Sequence, residues 1–307
     1  MTDRFAVPGT DAATPLRVAA PAIVLAKAEP VFASVTAATR GADAKAVHDM
    51  RVASRRLREA LRLFESLYDP HAIDAAYRRV RGITRALGPV RDSDVFIETF
   101  SSLVPEVDKS GKRAIAFLIG YRSAVRDKEF ERLRSKLARV DVRRDRRIFA
   151  TTACAVRDTP EADQPLGVFA REALRDRVGV VKGAYAPALI EGAVGQQHAL
   201  RIAVKRLRYA LEVFAPCYTD GFDAAYGTLT EFQDTLGVLH DAHVFLGILR
   251  DEDLRARALA AGVSPAGFDH LAAIMRKRAH AAYVSFETLA DQYSASDLEH
   301  VVLDPLD

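Results

Sequence analysis

The sequence predicts an all-α fold of two antiparallel four-helix bundles, eight long helices in all. Three observations lead there. Ala, Leu, Arg, Glu and Val recur with a period near 3.6 along most of the chain, and few alternating β-branched runs interrupt them. Proline, glycine and polar clusters cut that pattern into long segments. The later segments repeat the earlier ones at an offset of about 150 residues.

The first series runs from Pro21 to about Arg40, Lys45 to Tyr68, Pro70 to Phe100 with a kink expected at Leu87-Gly88-Pro89, and Lys112 to about Val140. A polar stretch from Asp158 to Pro165 then opens the second series: Leu166 to Ile190, Gln197 to Cys217, Phe222 to Asp253 with a break expected near Gly237, and Pro265 to Tyr293. The expected organisation is an N-terminal half over 1–150, a connector over 151–165, a C-terminal half over 166–293 and an acidic tail over 294–307. A length of 307 residues suits two units of about 100–200 residues each. Short connections make neighbouring helices antiparallel, and two matched halves should pack about a pseudo-twofold axis.

An apolar fraction of 49% with 28% charged residues is that of a folded protein. Uncharged stretches such as Leu16 to Ala26 fall short of the roughly 18 apolar residues of a membrane span, so no membrane association is expected. Asp3, Arg4, Pro8, Gly9 and Asp11 do not compose a secretory signal. Only Cys154 and Cys217 are present, which excludes a disulfide framework and a cysteine-based zinc site and makes a reducing cytoplasm the expected setting. Net charge is +3, yet 35 of the 44 basic residues are arginine. Arginine's planar fork of donors suits oxyanions, so the bias reads either as one concentrated basic surface or as the codon usage of a GC-rich genome.

The repeat is carried by two blocks. His48 to Phe64 faces His198 to Phe214 at an offset of 150, and most differences are conservative, as in Met50 to Leu200 and Arg55 to Lys205. Leu87-Gly88 with Asp92, Val95 and Phe96 faces Leu236-Gly237 with Asp241, Val244 and Phe245 at an offset of 149. Two matched blocks in the same order mean an internal duplication.

With His48 at zero on a helical wheel, Arg51, Arg55, Arg58 and Arg62 fall between about 280 and 340 degrees. Met50, Ala53, Leu57, Ala60, Leu61 and Phe64 occupy the opposite, core-facing side. His198, Arg201, Lys205 and Arg208 reproduce the stripe, and only the position of Arg62 changes sign, to Glu212. Like charges at helical spacing repel by a few tenths of a kcal/mol per pair, so an anion is expected to offset them. The stripe covers about 15 Å, long enough for several anionic groups of a polymer. The alternative is a solvated face paired with carboxylates such as Asp92, Asp94 and Asp241. Arg56 and Arg206 lie off the stripe and are expected to pair with Asp92 and Asp241. Arg122 with Arg126, and Arg276 with His280, are further basic pairs at one helical spacing, while the run from Arg143 to Arg147 has no counterpart and reads as surface.

These blocks resemble the CHAD family, an α-helical domain named for its histidines, over about residues 20 to 293. The resemblance implies two pseudo-symmetric four-helix bundles around a basic central cavity that binds inorganic polyphosphate. It carries that role to His48, Arg51, Arg55, Arg58, His198, Arg201, Lys205 and Arg208, and less directly to Arg122, Arg126, Arg276 and His280. It also implies a stand-alone, non-catalytic module with no cofactor, associated with polyphosphate granules or with a polyphosphate enzyme.

Two other readings remain open on the residues alone. His240 and Asp241, with His243 or His198, could hold a metal for phosphohydrolysis, although the matched positions Arg91 and Asp92 keep only the aspartate. A basic groove could also take nucleic acid, but tryptophan is absent, no aromatics interleave the stripe, and specific nucleic-acid binding is not expected. There is no P-loop and no Ser-His-Asp arrangement.

Overall fold

Residues 5–41 and 44–306 are described in the computed structural model, and they form an all-α protein. Asp3 and Arg4, read above for a signal, and Asp307 of the tail lie outside the described residues. In chain order the helices are α1 (Leu16–Ala33), α2 (Val35–Arg40), α3 (Ala44–Leu63), α4 (Pro70–Ser102), α5 (Lys109–Leu137) and α6 (Val142–Cys154). The later part gives α7 (Leu166–Ala188), α8 (Val194–Val213), α9 (Phe222–Arg250), α10 (Glu252–Ala260), α11 (Pro265–Gln292) and α12 (Ala295–Leu303).

Local chemistry sets many of the starts. The Asp69 carboxylate accepts from the amides of His71 and Ala72, with Pro70 in the first helical position, and Asp108 and Asp141 accept from Gly111 and Arg144. Ser294 and Asp297 form a reciprocal capping box.

Several sequence expectations are corrected. The first helix begins at Leu16, five residues before Pro21, and α4 runs unbroken through Gly88 and Pro89. Leu87, Gly88 and Val90 are buried there, and their packing holds the helix across the lost proline donor. The α9 helix likewise continues through Gly237. The boundary placed between 150 and 151 falls inside α6, whose Asp145, Phe149 and Ala153 are buried while Arg143, Arg144, Arg146 and Arg147 are exposed. The acidic tail contains α12, and Leu298 and Val302 are fully buried in it. The span Leu16–Arg40 is, by length and composition, apolar enough to cross a membrane, contrary to the sequence reading. Half of it is buried inside the protein, around the buried Lys27.

Within the first half α3 packs on α1 and α4, and α4 on α5; within the second α8 packs on α7 and α9, and α9 on α11. The halves meet where α3 touches α8 and α5 touches α11. Matched residues meet each other there. The rings of Phe64 and Phe214 lie edge to face at 6.1 Å. The Leu16 amide donates to the Gln164 carbonyl at 3.0 Å and the Leu166 amide to the Thr14 carbonyl at 2.9 Å, a reciprocal pair 150 residues apart. The larger apolar core draws on both halves, and a smaller one joins Phe96, Phe100 and Leu118 to Phe245, Leu249 and Phe268.

The α5–α11 contact depends on Gly267, where a Cβ would stand 2.6 Å from the Ser110 carbonyl oxygen and 2.9 Å from the Ala114 Cβ. Gly267→Ala is expected to force the helices apart and cost about 1–3 kcal/mol, read as a lower denaturant midpoint.

Candidate anion-binding site

The polar face of α3 turns toward α8 and α4, and the three helices enclose a cavity of about 370 Å³. Arg51, Arg55, Arg58 and Arg62 come from α3, Arg85 from α4, and Lys205 and Arg206 from α8. Gly88 makes room on α4: a Cβ there would lie 2.9 Å from Nη1 of Arg51. Among the described residues one carboxylate, Glu59, stands on the wall, and Arg177 holds it at 2.6 Å. The Tyr77 hydroxyl accepts from Nη2 of Arg58 at 2.9 Å, and the guanidinium carbons of Arg58 and Arg62 each lie 5.2 Å from the centre of its ring. The buried Nε groups of Arg58 and Arg201 meet no acceptor among the described residues.

The electrostatics follow from this shortage of carboxylates. Burial, and then Arg55, Arg201, Arg51 and Arg206, push the Lys205 ammonium down to about 7. Burial and Arg55 likewise lower Arg51, against the pull of Asp92. Burial lowers Arg201 despite Asp241.

Beside the cavity, Nδ1 of His198 and Nδ1 of His240 are 3.1 Å apart, with their rings stacked at 4.4 Å. One ring must donate and the other accept, so the two cannot both be protonated in this geometry. Burial, followed by Arg201, His198 and Lys205, pushes His240 down to about 4. Burial, Arg201 and Lys205 also lower His198.

The residues proposed from the sequence divide accordingly. Arg51, Arg55, Arg58 and Lys205 share the cavity, and Arg201 and His198 adjoin it through the contacts just given. His48 and Arg126 line a separate depression of about 580 Å³ with Arg91 and Glu98, and Arg126 is bonded to the buried Asp94 at 2.5 Å. Arg122 lies 5.6 Å from the centre of the Phe96 ring. Arg276 and His280 line a third depression of about 350 Å³ with His243 and Arg250, and His280 meets Glu191 at 2.8 Å. Arg208 is not on the cavity wall: it is buried and donates to Glu212, Gln233 and the Tyr226 hydroxyl. The expected partners of Arg56 and Arg206 are also corrected. Arg56 pairs with Glu212 and Arg206 lines the cavity, while Asp92 lies 3.6 Å from Arg51.

Arg85, Arg206, Tyr77 and Tyr209 were not among the residues proposed from the sequence. One sign was available there. Arg62 faces Glu212 and Arg85 faces Asp234 across the repeat, and both changes place the positive member on the cavity side.

Fold and site together define a duplicated all-helical scaffold built around a pocket of cations. The family model for the CHAD domain matches residues 23–250, and the chain belongs to that family. The CHAD domain from the plant Ricinus communis is similar to it at 24% identity, covering 98% of this chain and 96% of that one, with a TM-score of 0.65. PptA from Streptomyces chartreusis is similar at 18% identity over 91% of this chain and all of its own, with a TM-score of 0.69. At these identities the likeness is one of fold. No curated protein matches the chain.

Because burial and cations disfavour the charged imidazole, the folded protein loses stability as pH falls from the ordinary histidine value of 6.5 toward about 4. An NMR titration of His240 is expected to show a midpoint near 4, and Arg201→Gln is expected to move it upward.

Proposed function

We propose that this protein binds inorganic polyphosphate, without catalysis, through the cationic cavity between α3, α4 and α8. The observation that carries the proposal is the cavity wall, where six arginines and Lys205 face one carboxylate that Arg177 already holds. Such a cluster is unfavourable when empty and gains charge-assisted hydrogen bonds from a phosphate chain, while counterions are released. Membership of the CHAD family supports polyphosphate as the polyanion. The matched halves serve as two arms of one cavity about an approximate twofold. The proposed setting is the cytoplasm, at polyphosphate granules or beside an enzyme of polyphosphate.

Two observations favour a binder over the metal-dependent hydrolase. Arg201 beside His240 repels a cation, and among the described residues no three of His, Cys, Asp and Glu gather as a ligand set. Against a reader of nucleic-acid bases, the aromatic rings on the wall are committed: Tyr77 lies under Arg58 and Arg62, and Tyr209 under Arg208.

Calorimetric titration with long-chain polyphosphate is expected to give tight binding that weakens with salt, persists in EDTA and exceeds the affinity for ATP or single-stranded DNA. The double substitution Arg51→Ala, Arg201→Ala should weaken it by about 100-fold or more, since a hydrogen bond to a charged group contributes about 1.5–3 kcal/mol. Absence of binding by the parent protein refutes the proposal.

Lys205 gives the complex a pH dependence with a definite sign. Empty, it is about half-charged near pH 7; an anion beside it raises its pKa, so binding takes up a proton above that pH. Affinity should be full below pH 7 and fall between pH 7 and 9, with a buffer-dependent heat at pH 8. Lys205→Gln is expected to flatten the curve.

A further inference from the structure

The two copies of the repeat place matched side chains around two seats, and only one of them has a carboxylate of its own at the centre. In the closed one, Glu212 is fully buried and accepts from Arg56 of the other half and, at 2.5 Å, from Nη1 of Arg208. Arg208 also donates to the Tyr226 hydroxyl at 2.8 Å, and the Lys27 ammonium donates to the Glu212 carbonyl at 3.2 Å. Phe5 closes the top, its ring 5.2 Å from that of Tyr226 and 5.3 Å from the guanidinium carbon of Arg56.

Each basic group of this arrangement has a basic counterpart in or beside the open cavity. Subtracting the repeat offset of 150 or 149 turns Arg208 into Arg58, Tyr226 into Tyr77 and Glu212 into Arg62; adding 150 turns Arg56 into Arg206 and Lys27 into Arg177. The Arg58–Tyr77 hydrogen bond of 2.9 Å reproduces the Arg208–Tyr226 bond of 2.8 Å. What differs is the anion. The closed seat has its own carboxylate, whereas the open one has Arg62 at that position, and its nearest carboxylate, Glu59, is drawn off to Arg177. Arg58, Arg62 and Arg206 are left on the wall facing Glu59.

We infer that Glu212 is a built-in stand-in for a phosphoryl group, and that its counterpart position, between Arg58 and Arg206 beside the Tyr77 hydroxyl, seats one phosphoryl group of the bound chain. This rests on the proposed polyphosphate function and adds a location to it. It makes Arg206 a ligand residue and makes the cavity one-sided: the chain enters the α3–α4 side and ends against the Tyr209 wall, because the other seat is filled by Glu212 and Phe5. Arg62 stands where Glu212 stands in the closed copy, so the open seat draws an external anion.

The test is calorimetry with tripolyphosphate on the full chain. Arg58→Gln and Arg206→Gln are each expected to weaken binding at least tenfold, and the double variant by less than the product, because both hold the same group. Arg56→Gln, at the closed seat, should leave affinity within about twofold. An Arg206→Gln protein that binds as the parent does, while Arg51→Ala, Arg201→Ala loses affinity, overturns the seat and leaves the polyphosphate reading standing. A parent protein that binds nothing overturns both. A second variant examines the stand-in role itself: Phe5→Ala with Glu212→Ala should take two equivalents of tripolyphosphate where the parent takes one. One equivalent in that variant overturns it; if the variant does not fold, the Arg206 series still decides the seat.

Discussion

The structure depends on a face of α3 that cannot neutralise itself. Arginines at positions 51, 55, 58 and 62 recur on one side of a helix whose other side is core, so the packing that buries Met50, Leu57 and Leu61 forces the cations together. Because α8 presents Lys205 and Arg206 to the same space, docking the halves concentrates charge instead of pairing it. The depressed basicity of Arg51, Arg201 and Lys205 records their burial first and that crowding second.

Elsewhere the protein pairs its buried charges closely. Asp145 with Arg79, Asp94 with Arg126 and Glu212 with Arg56 and Arg208 each join different helices or successive turns, and all three carboxylates are buried. A buried ion pair adds little net stability, but leaving one partner alone costs about 3–5 kcal/mol, so these carboxylates cannot swing into the cavity to relieve it. The near-neutral total charge therefore conceals a division: carboxylates go to the scaffold, and the unpaired cations go to one wall.

Much of this was legible in the sequence, and the limits have physical causes. The helical class followed from period and the duplication from two blocks, and both rest on many residues at once. The stripe on α3 was readable because the wheel separates Arg51 and Arg58 from the core residues of one helix. Which stripe residue reaches the cavity was not readable, because that depends on neighbouring residues: Arg58 and Arg208 occupy matched positions, yet only the second is bonded to Glu212 and Gln233. Helix ends failed for a similar reason. Gly88 and Pro89 break an isolated helix, but packing on both sides carries α4 past them, and α12 reads as an acidic tail until Leu298 and Val302 find their place in the core.

The arginine bias can now be separated from genome composition by where the arginines lie. A lysine in this wall loses its proton near neutrality, as Lys205 does at about 7, because burial and like charges both favour the neutral amine. Arginine keeps its charge under the same pressure, since its unperturbed pKa lies above 12. A wall of lysines would discharge on crowding and cease to attract an anion, whereas a wall of arginines must stay charged and stay frustrated until an anion arrives. Codon usage can supply arginines anywhere on the surface; it does not place six of them around one cavity with a lone lysine in their midst. That placement gives the wall a lasting positive potential, with the single lysine as the position where pH can adjust it.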